Sequence, residues 1–200
     1  MIDDLISRFP EENKVAIVCL YCDYRDQGKQ TLVNIMGSLL KQLLFYTGTS
    51  HILQDVIKLL AGMKRKGQQI ETADILQILK ATLAQFNRSF ICIDALDELQ
   101  ADVRKTLLET LHNISTTVGT VRFFLTGRPH IATELSSRLQ IQQAIDIKAQ
   151  QDDVRAYLLY QISQDANPDA MNGTLKEEIM STVTEKSMDM WVAKFHIAAT

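Results

Sequence analysis

The chain has 200 residues, 46% of them apolar and 22% charged, so a sizeable core is available and wholesale disorder is excluded. Its 21 Lys and Arg against 24 Asp and Glu leave a net charge of −3, which counts against general nucleic-acid or membrane-surface binding. No apolar run approaches the roughly 18 residues of a membrane span, the acidic Met1-Ile2-Asp3-Asp4 start is unlike a signal peptide, and three cysteines make no disulfide framework, so a reducing, cytoplasmic setting is expected.

Taken in chain order, Ile2, Leu5, Ile6 and Phe9 follow the helical period, and Pro10 closes that helix. Val15 to Cys22 is a mostly apolar run of the kind that forms a strand covered on both faces. Leu32, Ile35, Met36, Leu39, Leu40, Leu43 and Leu44 mark a helix, with Thr31 as its N-cap and Gly48 as its stop. A helix over 50–63 carries Ile52, Val56, Leu59 and Leu60, and a further one capped by Thr72 carries Ile75, Leu76, Leu79, Leu83 and Phe86.

Phe90-Ile91-Cys92-Ile93 predicts a short buried strand ending in Asp94. Val103, Leu107, Leu108, Leu111 and Ile114 set out the next helix, 121–126 the next strand, and 141–147 a fourth. Strands separated by helices require crossovers, hence an α/β domain with a parallel sheet. After Gln150 the pattern changes: 152–165, 174–187 and 189–199 read as three helices with no strand between them. The expected domains are therefore 1–148, α/β, and 149–200, the start of a small helical subdomain.

Two segments carry the chemistry. In Phe90 to Leu99 the first acid, Asp94, stands where a buried strand emerges, and Asp97 and Glu98 follow on the loop. Ligands of open α/β sheets bind at the carboxyl ends of strands. A carboxylate there can hold Mg²⁺ through water, and one of the next two acids could polarise a water for attack on a terminal phosphate. The same residues also suit a plain acidic helix start. In Phe123 to Pro129 a second buried strand ends in Thr126, Gly127 and Arg128. Pro129 keeps Arg128 extended, where its guanidinium could meet phosphate, or simply sit in a surface turn.

At this point the chain resembles a family. Ile91 to Leu99 is similar to the Walker B segment of NACHT-type NTPases, the STAND class of signalling P-loop proteins, and Leu125 to Pro129 is similar to their sensor 1. Leu20 to Gln27 and Leu39 to Leu44 resemble the strand and helix after the P-loop helix in fungal, NLR-like members grouped with the nephrocystin-3-like N-terminal domain. Asp152 to Leu158 and Glu185 to Ala193 resemble the start of the family's helical subdomain.

The resemblance implies an ASCE-type parallel sheet flanked by helices. It also implies ATP or GTP with Mg²⁺ in the intact domain, and a nucleotide-dependent switch that works through protein partners or homo-oligomers. By position, Asp94 would be the Mg²⁺-associated acid, Asp97 and Glu98 the catalytic Walker B acids, and Thr126 and Arg128 the sensor on the nucleotide.

One departure matters more than the matches. No G-x-x-x-x-G-K-[ST] occurs in these 200 residues, and Gly28-Lys29-Gln30-Thr31 has neither the glycine spacing nor the Lys-Thr junction of one. The P-loop and its strand are expected to belong ahead of residue 1, which leaves the sheet incomplete with an unpaired edge in its interior. A P-loop supplies several backbone donors and a lysine to phosphate. Losing three bonds of this charged kind removes about 4–9 kcal/mol, or roughly three to six decades of affinity. The expectation is that the chain alone binds ATP negligibly and does not hydrolyse it. A non-catalytic module that pairs with an intact homologue is the alternative. A Mg²⁺-dependent phosphohydrolase acting through Asp94, Asp97 and Glu98 directly ranks below both.

Other features point to structure. Cys19 and Cys22 form a C-x-x-C, but on a strand their thiols would face opposite ways, and Cys92 reads as core. His51, His112, His130 and His196 show no metal-ligand spacing, no serine-hydrolase elbow occurs, Lys64-Arg65-Lys66 is too short for a nucleic-acid stripe, and Trp191 reads as core.

Overall fold

A computed structural model describes residues 7–8, 14–47, 56, 71–148, 150–164, 172–190 and 192–199. The elements in chain order are β1 (Val15–Tyr21), α1 (Leu32–Thr47), α2 (Thr72–Leu83), β2 (Arg88–Asp94), α3 (Ala101–Thr117), β3 (Val121–Gly127), α4 (Ala132–Arg138), β4 (Ile141–Lys148), α5 (Gln151–Ser163), α6 (Gly173–Met190) and β5 (Val192–Ala199). Ser7 and Arg8 of the expected first helix are helical, and Val56 of the expected 50–63 helix is helical and buried. The rest of both helices, together with Gly48, Lys64 to Lys66 and Trp191, lies outside the described residues.

Three strands form a parallel sheet flanked by helices. β1 pairs with β2 from Val15↔Arg88 to Tyr21↔Asp94, and β2 with β3 from Ser89↔Val121 to Ile93↔Leu125. Parallel neighbours need crossovers; α1 and α2 supply the first and α3 the second. Alternation along the strands sorts the side chains. Ala16, Val18, Ile91, Ile93, Phe123 and Leu125 enter the main core with Leu39 and Leu43 of α1, Leu79 and Leu83 of α2, and Leu107 and Leu111 of α3. Val15, Ile17 and Phe90 form a smaller cluster on the other face, with Cys19 and Phe124 against it.

β1 is an edge strand, and α1 covers that edge. The Cys19 amide donates to Gln42 Oε1 at 2.9 Å, Gln42 Nε2 donates to the Cys19 carbonyl at 2.8 Å, and the Tyr46 hydroxyl donates to the Ile17 carbonyl at 3.0 Å. Residues four apart on a helix thus meet residues two apart on a strand, and the edge has fewer free groups for another chain to pair with. Thr31 caps α1, its hydroxyl accepting from the Asn34 amide at 3.3 Å. At α2 the cap is Glu71 rather than Thr72, because the Asp74 carboxylate reaches back to the Glu71 amide at 3.1 Å.

One expectation, a helix over 189–199, is corrected at the far end of the chain. Residues 192–199 form a strand, not a helix. Ala193, Phe195, Ile197 and Ala199 alternate with period two, and aromatic and β-branched residues favour a pleated surface. The sheet order is β1-β2-β3-β5-β4, which sets β5 beside β3. The chain divides into two compact units, Met1–Ala144 with Phe195–Thr200, and Ile145–Lys194. The second consists mainly of α5 and α6 packed on one another, with Tyr157, Leu159 and Tyr160 exposed. Among the described residues no helix is long and apolar enough to cross a membrane.

Candidate functional site at the carboxyl edge of the sheet

The carboxyl ends of β2 and β3 are adjacent because the strands pair in parallel, and the two chemistry-bearing segments meet there. Asp94 ends β2 with its side chain exposed, while Thr126, one residue from the end of β3, is 8% exposed. The Thr126 hydroxyl donates to Asp94 Oδ1 and accepts from the Ala95 amide at 2.8 Å. One hydroxyl therefore ties the first acid to the turn that follows it. That turn needs the help: Ala95 has φ 56° and ψ 47°, a left-handed conformation that costs an alanine about 1–2 kcal/mol.

Residues Leu96–Glu98 then make a single 3₁₀ turn that buries Leu96 in the core and points two acids in different directions. Asp97 turns towards β3. Its Oδ1 accepts from the Arg128 amide at 3.1 Å, and its Oδ2 lies 3.3 Å from the Arg128 Nε. The Asp97 side chain is 7% exposed and that of Arg128 72%, so a buried acid anchors an arginine whose side chain is largely in solvent. Gly127 packs closely on the next turn: a β-carbon there would lie 2.5 Å from Ile131 Cδ1, though only in ordinary contact, at 3.5 Å, with Asp97 Oδ1.

Glu98 turns towards the loop after β1. Its Oε2 accepts from the Tyr24 amide at 3.0 Å, and its carbonyl accepts from Gln27 Nε2 at 3.1 Å. Cys22 also belongs to this edge, its amide donating to the Asp94 carbonyl at 3.0 Å. Burial, and then the charges of Asp94, Glu98 and Asp97, push the Cys22 thiol up to about 12, so it stays protonated and inert at neutral pH. In the same loop, Arg25 grips the Asp23 carboxylate at 2.6 Å and holds its pKa down to about 2. Behind the acidic turn, Arg104 of α3 bonds Glu134 of α4 at 2.9 Å and the Leu99 carbonyl at 3.1 Å.

All five residues singled out in the sequence thus lie on one edge, in two linked pairs, Asp94 with Thr126 and Asp97 with Arg128, and with Glu98 beside them. Sequence reasoning missed the docking of Tyr24 and Gln27 onto Glu98, which joins residues more than seventy positions apart and leaves no local signal. It also missed Ala95, because left-handed positions are foreseen from Gly or Asn, not Ala.

Among the described residues no three His, Cys, Asp or Glu side chains converge as a metal cage. One exposed carboxylate beside a hydroxyl suits an ion held mainly by water and by a phosphate, which is how Mg²⁺ is commonly bound. Asp94 is the group that would hold it, and the ion would supply neutralising charge beside the phosphate.

The architecture up to this point is that of an α/β protein with a parallel sheet and an acid-and-arginine carboxyl edge. Residues 1–128 match the family described as Nephrocystin 3, N-terminal, and that stretch contains β1 to β3 and the whole edge, closing at Arg128. The chain belongs to this family. No curated protein matches it significantly.

Proposed function

We propose that this chain is part of a nucleotide-dependent switch of the NACHT type, in a protein that relays a signal through protein partners or copies of itself. The observation that carries the reading is the joining of the end of β2 to the end of β3: Asp94 to Thr126, and Asp97 to Arg128. It sets an exposed carboxylate and an exposed guanidinium on one edge of a parallel sheet, where a Mg²⁺-bearing polyphosphate finds both complementary charges.

Within this reading the acids divide the work. Asp94 faces solvent and is the group for Mg²⁺. Asp97 is engaged with Arg128 and orients it towards the phosphate. Glu98 holds the loop after β1 by accepting from the Tyr24 amide at Oε2, and its second oxygen is the one that would meet a water.

A phosphate-gripping loop is not among these 200 residues, so the chain by itself binds nucleotide too weakly to measure and does not turn it over. The competing reading is a non-catalytic module that pairs with an intact homologue through an open sheet edge or through the helical subdomain.

Calorimetric titration of the 200-residue chain with Mg²⁺ and ATP is the direct test, and no saturable heat is expected; micromolar binding overturns the expected inactivity. The coding sequence just upstream of Met1 tests the switch reading itself. A strand followed by G-x-x-x-x-G-K-[ST] there supports it, and a stop codon in frame just ahead of Met1 removes its nucleotide grip.

A further inference from the structure

Two of the three cysteines, far apart in sequence, stand side by side across the sheet. Cys19 of β1 and Cys92 of β2 are register partners, and both are free thiols, Cys19 partly exposed and Cys92 buried. The directly paired positions of parallel strands lie about 4.8 Å apart. A disulfide spans Cα separations of roughly 4.4–6.8 Å, with the β-carbons about 3.5–4.5 Å apart. Side chains on registered parallel rungs point the same way, so the two sulfurs share one face and need only a small inward movement of the strands to bond. The Gln42 amide clamps the Cys19 backbone from the other side, at 2.9 and 2.8 Å, and fixes the thiol beside its partner. Cys22 is excluded from the pairing, since it packs in the main core while Cys19 packs with Val15, Ile17 and Phe90 on the opposite face.

We propose that Cys19 and Cys92 form a reversible oxidation site, closed by a peroxide into a cross-strand disulfide and reopened by thiols. Cys19 is the attacking group. It is the more accessible of the two, and the hydrogen bond from the Cys92 thiol holds its pKa below the ordinary thiol value despite partial burial. Its thiolate attacks one oxygen of hydrogen peroxide and the O–O bond breaks. Hydroxide leaves and takes a proton to become water, so Cys19 becomes a sulfenic acid. The Cys92 sulfur then attacks the Cys19 sulfur, the S–O bond breaks, and the departing hydroxide takes the Cys92 proton as a second water. Two thiols lose two electrons in total, and one peroxide gains them. Because the strands must be drawn together beyond their relaxed spacing, the bond is strained and readily reduced, as in labile rather than structural disulfides. The rung lies two residues below Tyr21↔Asp94, so closing it pulls on the same edge that carries the acids.

The test is hydrogen peroxide treatment of the intact chain, blocking of the remaining thiols, and peptide mapping without reductant. The expected result is a Cys19–Cys92 linked peptide that dithiothreitol abolishes, with Cys22 alkylated as a free thiol only after unfolding. Cys22→Ser keeps the linkage, whereas Cys19→Ser removes it and slows thiol loss at least tenfold. A Cys19 that over-oxidises to the sulfinic acid without linking, a disulfide involving Cys22, or three thiols that all survive peroxide each overturns the proposal. The wild-type map decides the matter even if a cysteine variant fails to fold.

Discussion

Asp97 holds Arg128 at two points, accepting from its backbone amide at 3.1 Å and meeting its guanidinium Nε at 3.3 Å, with the acid nearly buried and the arginine side chain in solvent. The two contacts are unequal. The amide contact is a hydrogen bond to a nearly buried carboxylate, whereas the guanidinium lies largely in water. Asp97→Ala is expected to cost about 1–3 kcal/mol of stability through the lost hydrogen bond to a charged, nearly buried carboxylate. Arg128→Ala should cost about 0–1 kcal/mol, as exposed ion pairs do. Urea denaturation of both variants checks the order, and a larger loss in Arg128→Ala would mean that the ion pair, not the amide bond, holds the turn.

Thr126 and Ala95 allow a second comparison. Thr126→Val keeps the shape but leaves the Ala95 amide without its acceptor, at a cost of about 1–3 kcal/mol. Thr126→Ser retains the hydroxyl and should lose about 0.8 kcal/mol, the contribution of one buried methyl. Ala95→Gly removes a left-handed strain of about 1–2 kcal/mol and adds a chain-entropy cost of about 0.5–1 kcal/mol. It should therefore be neutral to slightly stabilising, while Ala95→Val is destabilising because a branched side chain tolerates φ 56° poorly. In thermal denaturation of these variants, Ala95→Gly should melt highest, and Thr126→Val should melt lowest or level with Ala95→Val.

Gly127 is packed too closely to accept a side chain. A β-carbon would meet Ile131 Cδ1 at 2.5 Å, and Ile131 is 2% exposed with little room to retreat. Gly127→Ala should lose about 1–3 kcal/mol by overpacking. The loss should be smaller in an Ile131→Val background, which lacks the clashing atom. A double-mutant cycle with denaturant reads the coupling, and strict additivity would place the strain elsewhere.

Asp23 gives the loop after β1 an acid sensitivity. Its pKa falls from an ordinary 3.8 to about 2 because the Arg25 side chain, and then the Arg25 amide, hydrogen-bond its carboxylate. A lowered folded-state pKa means that the contribution is complete above about pH 4 and drains away as the pH falls towards 2. Carboxyl NMR titration should find the Asp23 midpoint near 2, and Arg25→Gln should return it towards 3.8. An unmoved midpoint in the variant would assign the shift to another group.

Much of this protein could be read along the chain. Covered strands announce themselves as apolar runs, because burial on both faces leaves no room for polar alternation, so Val15–Tyr21, Arg88–Asp94 and Val121–Gly127 were expected close to where they lie. The acids and the arginine stood out because they end those runs. The last strand misled, since 192–199 carries enough Ala and Lys to read as a helix, and only a free position in the sheet gives its alternation somewhere to pair. Local periodicity reports which face a residue can bury. It does not report which strand lies next to which.

That second kind of information came from the tertiary structure alone. Asp94 meets Thr126 because β2 and β3 run parallel in one register, and Glu98 meets Tyr24 because β1 lies on the other side of β2. Cys19 faces Cys92 for the same reason, a pairing that the C-x-x-C spacing of Cys19 and Cys22 gave no hint of. Composition and hydrophobic period determined that this chain builds an α/β sheet with charged groups at one end, because those properties follow from burial, residue by residue. Which charged groups touch depends on strand order and register, which are settled only when segments far apart in sequence pack against each other.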